Sequence, residues 1–192
     1  MVSTYIGIDL AGVEKNPTGI AIVYSSQLST YIVKRDCEVL EVVSRYRPKI
    51  VAIDAPLTLP TSGYTRFVDR LMHRLGYPVL PPLFPGMKKL TERAMKLVSR
   101  ILAIAPDSRV IEVHPRSTEK ILLINGIGRL VTYFRKLGIS IRELPKSRHE
   151  YDATLAVLTA ILYDLGLAAP VGNDEGRVVL PKRVVRRILS GA

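Results

Sequence analysis

Apolar positions along the chain fall into two rhythms. Residues 4–10 carry the β-formers Tyr5, Ile6 and Ile8, the pattern of a buried strand, and Gly12 with Asn16-Pro17 marks a turn after it. Residues 18–24 and 28–34 give two more strands, the latter alternating Tyr31 and Val33 with Thr30 and Ile32. Their short connections predict a three-strand antiparallel meander. Residues 37–46 place Val39, Leu40, Val42 and Val43 at helical spacing, and the next strand, 49–54, is apolar through Ile50-Val51-Ala52-Ile53. An unbroken apolar run suits a central parallel strand, and a right-handed crossover sets it beside the first strand.

The second half reads mostly as helix. A proline-punctuated loop over 55–65 precedes Val68, Leu71, Met72 and Leu75 at helical spacing. Pro78, Pro81, Pro82 and Pro85 predict a stiff irregular loop over 76–86. Leu90, Ala94, Leu97, Val98, Ile101 and Ala105 make one apolar stripe. A strand over 109–114 follows, then a helix over 118–137 interrupted near Gly126 and Gly128, then the most apolar helix, 147–165. A short strand at 177–180 and a basic helix starting at Pro181 end the pattern. No repeat or linker divides the chain. The expectation is one α/β domain over 1–192, with a proline-rich helical insert at about 57–105.

Composition narrows the classes. A chain of 192 residues that is 47% hydrophobic can bury a core and is not disordered. Its longest apolar stretch, from Ala153, is broken at Asp164, short of the roughly 18 residues needed to span a bilayer. Residues 1–8 lack a basic region and a cleavage site, so the expected location is the cytoplasm, away from membranes. The single cysteine, Cys37, excludes an intrachain disulfide or a cysteine zinc site and is expected to be a small core residue. With 28 Lys and Arg against 17 Asp and Glu, the net charge of +11 favours a polyanionic partner, nucleic acid above all. An Arg-rich surface with Gln27 as sole glutamine also suits a thermophile.

Three aspartates stand out against this apolar background. Asp9 ends the first strand and Asp54 ends the central one; a carboxylate there is costly to bury without a partner. Strand carboxyl ends are where α/β sheets bind ligands. If the strands are neighbours, two crowded carboxylates need a cation, and oxygen ligands suit Mg²⁺ or Mn²⁺. His149-Glu150-Tyr151-Asp152 opens the long apolar helix, with His149 and Asp152 on one face. Helix electrostatics alone would also favour Glu150 and Asp152 there. Glu112 and His114 share one side of their strand as accessory ligands or a charge relay, with Glu150 a further accessory acid. Arg66, Arg70 and Arg74 repeat along one helix, Lys182, Arg183, Arg186 and Arg187 cluster on the last, and Lys88, Lys89 and Arg93 precede another. All are candidate phosphate contacts as well as ordinary solvated faces.

In this order the motifs resemble the RNase H-like pattern of RuvC-type Holliday-junction resolvases. More closely, the chain is similar to an uncharacterised family of predicted RNase H-fold nucleases, a domain of unknown function. The segments that carry the likeness are Gly7-Ile8-Asp9, Ile53-Asp54-Ala55-Pro56, 66–76, Glu112-Val113-His114-Pro115, Tyr151-Asp152-Ala153 and 176–181. The resemblance implies a mixed five-stranded sheet with helices on both faces and a metal-dependent phosphodiesterase site acting on DNA or RNA. By it, Asp9 bridges two Mg²⁺ or Mn²⁺ ions, Asp54 and Asp152 each bind one, and His149 takes the place of a histidine found in some resolvases. Asp54 stands where resolvases have glutamate, and the insert from 57 to 105 is longer than theirs. The resemblance leaves open a homodimer and two other functions: a non-catalytic nucleic-acid binder, and an ATP-binding phosphotransferase of the actin-like superfamily.

Overall fold

Strands β1 (Tyr5–Asp9), β2 (Thr18–Tyr24) and β3 (Gln27–Val33) form the antiparallel meander, and β4 (Ile50–Asp54) pairs parallel with β1 on its other side. Beyond β4 lies the parallel β5 (Arg109–Val113). A two-residue strand, β6 (Ser140–Ile141), joins the free edge of β3, and a hairpin of β7 (Ala168–Asn173) and β8 (Gly176–Pro181) joins β5 through β8. The order in this computed structural model, which describes residues 3–190, is β6-β3-β2-β1-β4-β5-β8-β7. The sheet thus has eight strands where five were expected. β6 is too short to show a period, and β7 carries Pro170 and Gly172, which weaken any strand reading but are tolerated on an edge.

Seven helices are described: α1 (Asp36–Tyr46), α2 (Phe67–Arg74), α3 (Pro85–Ile104), α4 (Pro115–Leu122), α5 (Ile127–Lys136), α6 (Arg148–Asp164) and α7 (Val185–Ser190). Strand alternation sends side chains to two cores. Ile6, Ile8, Ile20, Ile22, Val51 and Ile53 pack with Val39 and Val43 of α1 and Ala94, Leu97 and Ile101 of α3. Tyr5, Ala21, Val23, Ile50, Ala52 and Ile111 pack on the other face with α6, α4 and α5. Each fully buried aliphatic side chain contributes roughly 1.5–3 kcal/mol. Helix α3, within the expected insert over 57–105, supplies much of one core. The helix expected over 118–137 is two, divided where Leu123 and Gly126 adopt positive φ. Cys37 is exposed, correcting the core expectation: it lies out of phase with the buried Val39 and Val43 stripe. Among the described residues no helix is long and apolar enough to cross a membrane.

Helix α6 crosses β1, β2 and β4 centrally and is buried on nearly every side from Ala153 to Leu162. Two strand glycines allow its close approach. A Cβ on Gly7 would sit 2.2 Å from the Ala153 carbonyl oxygen and 2.4 Å from the Val157 nitrogen. A Cβ on Gly19 would sit 2.1 Å from the His149 carbonyl oxygen. The helix backbone thus rests directly on the sheet backbone.

Candidate functional site

The register between β1 and β4 places Asp9 directly opposite Asp54. Both follow their strands' alternation onto the face that carries Gly7 and Ala52, the α6 face. Gly19 is the partner of Asp9 in β2, and the start of α6 lies against Gly19. Ser147 caps α6, its hydroxyl accepting from the Glu150 amide at 3.2 Å. His149 is thereby set beside Asp9, and Asp152 comes one turn later. Asp9, Asp54 and Asp152 line a single cleft of about 370 Å³.

The His149 Nδ1 stands 2.6 Å from Asp9 Oδ2. Arg148 Nε donates to Asp152 Oδ2 at 2.9 Å, while Asp152 Oδ1 is buried with no hydrogen-bond partner. Among the described residues no hydrogen-bond donor reaches the Asp54 carboxylate. Burial raises all three carboxyl pKa values. For Asp54 the rise is large, chiefly from burial, with Asp9, Asp152 and Glu112 adding like charge against the pull of Arg116. For Asp9 burial outweighs the pull of His149 and Arg148. For Asp152 burial and the nearby Asp9 outweigh Arg148. Burial makes all three acids hard to ionise, and like charge adds to this at Asp54 and Asp152, so the cleft is short of positive charge.

The donor set fits a hard divalent cation. It consists of oxygens, and it includes a buried carboxylate oxygen without a partner. As the side chains stand, no three His, Cys, Asp or Glu groups among the described residues are gathered tightly enough to enclose an ion. Asp9 has one oxygen engaged by His149 and Asp152 has one engaged by Arg148.

The remaining candidates divide. Glu112 lines the same cleft but shares the Ile53 face of the sheet through its register, and its carboxylate is occupied. It accepts from Arg66 at 2.8 and 2.6 Å and from the Leu57 amide at 2.8 Å. Arg66, expected to meet phosphate, is 1% exposed and also bound to Asp69, so it is a structural ion-pair residue. Burial alone would lower its pKa, but the two carboxylates carry it above the ordinary arginine range. Burial likewise drives Glu112 upward against the pull of Arg66. His114 lines the cleft too, with Nδ1 2.6 Å from the Ser117 hydroxyl. Burial, aided by Arg116, pushes its pKa down to about 4, so it is neutral at ordinary pH. Glu150 faces away, accepting from Thr30, Ser147 and the Lys146 amide, and is no accessory to the three aspartates.

None of the other expected phosphate contacts lines the cleft. Arg70 donates to the Thr65 carbonyl, and Arg74 lies over the Phe67 ring. Lys182 donates to the Gly166 carbonyl, and Arg183 borders a separate groove beside Tyr77 and Ala169. Arg186 and Arg187 ride on α7, which packs against α5. Arg93 is buried, bound to Asp36 and to the carbonyls of Ala11 and Lys34. Sequence reading passed over Arg148, although its i,i+4 spacing to Asp152 was legible. It also passed over Arg116, in the first turn of α4, and the apolar wall of Val79, Leu80, Met87 and Leu90.

No protein-family model matches the chain, and no curated protein matches it in sequence. In structure it is similar to RuvC of T. thermophilus in complex with a Holliday junction substrate, with a TM-score of 0.50 and 19% identity over 85% of this chain and 96% of that one. A second structure of Thermus thermophilus RuvC aligns over the same shares at 19% identity and a TM-score of 0.49. The mixed sheet, the helices on both of its faces and the first of these alignments together make this an RNase H-like α/β fold.

Proposed function

We propose that the chain is a divalent-metal-dependent nuclease that hydrolyses phosphodiester bonds in nucleic acid. The observation that carries this reading is the convergence of Asp9, Asp54 and Asp152, from three distant segments, on one cleft where, among the described residues, Asp54 has no donor and Asp9 and Asp152 have one partner each. Asp9, Asp54 and Asp152 would hold two Mg²⁺ or Mn²⁺ ions, which when bound would supply charge neutralisation at phosphate and a more acidic water. The residues around them do the rest. Asp9 accepts from His149 Nδ1, which fixes the ring and leaves Nε2 as the acceptor for a proton from attacking water. The His149 side chain is 45% exposed, so solvent reaches it. The net charge of +11 draws a polyanion to the molecule. The RNase H-like fold, shared with a protein solved on a Holliday junction, agrees with this reading.

Asp9→Asn keeps the size of the side chain and removes the charge. It is expected to lower Mg²⁺- or Mn²⁺-dependent cleavage of labelled DNA junctions, duplexes and RNA by at least about 1,000-fold, roughly 4 kcal/mol of transition-state stabilisation. Circular dichroism should show the fold unchanged. Full-rate cleavage by the highly purified variant would overturn the assignment.

A further inference from the structure

Two arginines among the described residues line the acid cleft, Arg66 and Arg116. Arg66 is buried and spends its guanidinium on Glu112 and Asp69. Arg116 is exposed and, among the described residues, makes no hydrogen bond or ion pair, although its charge is felt by both Asp54 and His114. Arg116 thus borders the same cleft as the three acids and pairs with none of them.

Its backbone is anchored. Arg116 follows the end of β5 by way of His114 and Pro115. The amides of Ser117 and Thr118 both donate to the His114 carbonyl, at 2.9 and 3.2 Å. Ser117 and Thr118 are buried, and the Thr118 hydroxyl meets that of Thr159 on α6 at 2.8 Å. The turn that bears Arg116 is therefore tied to the helix that bears Asp152, and only the side chain is free to meet solvent. A planar fork of N–H donors on a fixed base is suited to a phosphate diester.

We infer that Arg116 grips a backbone phosphate of the nucleic-acid strand entering the cleft, and so sets which phosphodiester comes to rest over Asp9, Asp54 and Asp152. This rests on the nuclease reading. Being a backbone contact, it places the strand and reads no base.

The test is fluorescence anisotropy with a fluorescein-labelled four-way DNA junction and a labelled linear duplex, in Ca²⁺, across a salt series, using the full chain. Arg116→Ala is expected to weaken binding to both probes by a similar factor, about eightfold at 0.1 M salt, and to reduce the slope of log K against log salt by about 0.9. Arg116→Lys keeps the charge and should restore the slope. Unchanged affinity and slope in Arg116→Ala, with the wild type binding normally, overturn this inference and leave the nuclease reading intact. If the wild type binds neither probe, this inference falls, and the nuclease reading is then decided by the cleavage assay with RNA. ATP is the control for a mononucleotide site: Arg116-dependent binding of ATP without binding of either DNA probe overturns the inference as well.

Discussion

The cleft holds two groups of acids with opposite electrostatics. On one side Glu112 and Asp69 close around the Arg66 guanidinium, with Glu112 also taking the Leu57 amide. On the other, Asp9 and Asp152 have one partner each, and no donor reaches Asp54. The first group is satisfied by the protein itself and ties the loop before α2 to β5. The second is left short of positive charge. Buried carboxylates alone therefore do not mark a functional site; a deficit of counter-charge does.

Three substitutions sharpen this contrast. The largest effect is expected where the protein supplies its own cation. Arg66→Met leaves Glu112 and Asp69 buried and uncompensated, and should cost about 3–5 kcal/mol in urea unfolding. A loss below 1 kcal/mol would remove the distinction between the two groups. Next, Gly7→Ala forces a methyl into the α6 backbone and should cost about 3 kcal/mol. It should also weaken Mn²⁺ binding measured by calorimetry, because His149 and Asp152 shift relative to Asp9, whereas the Arg66 cluster stays in place. Unaltered Mn²⁺ affinity in a folded Gly7→Ala protein would show that helix approach does not set the site.

The smallest effect on stability belongs to Asp54→Asn, and its sign is the informative part. The Asp54 pKa is raised in the folded state, so the folded protein holds that proton more tightly than the unfolded chain. This contribution is present at pH below the unfolded value of about 4 and is lost as pH rises towards the folded pKa. In EDTA at neutral pH, Asp54→Asn should therefore melt at or above the wild-type temperature. With Mn²⁺ at 100 times its Kd the wild type should gain about 2.7 kcal/mol, and the variant much less. A variant that melts well below the wild type in EDTA would mean that Asp54 is a structural residue like Glu112.

Much of this was legible in the chain. The unbroken Ile50-Val51-Ala52-Ile53 run identified a central strand, and pairing it with the first strand brought Asp9 and Asp54 together. The apolar helix opening on His149 and Asp152 was equally plain, since nearly every residue after Ala153 is buried. What escaped notice depended on tertiary partners. Arg66 reads as one of three evenly spaced basic residues, and nothing local reveals that Glu112, 46 positions away, buries it. Glu150 and Asp152 look alike in sequence, yet helix rotation sends one towards Thr30 and the other into the cleft. The β7 strand hides behind Pro170 and Gly172, because an edge position tolerates what a central strand does not.

The paired glycines under α6 have a consequence for how the protein can vary. Where two peptide backbones touch without side chains between them, their separation is gauged by atoms that every residue shares. Any side chain at Gly7 or Gly19 would break that contact. The seat of His149 and Asp152 above Asp9 is thereby set by main-chain contact as well as by the fit of side chains.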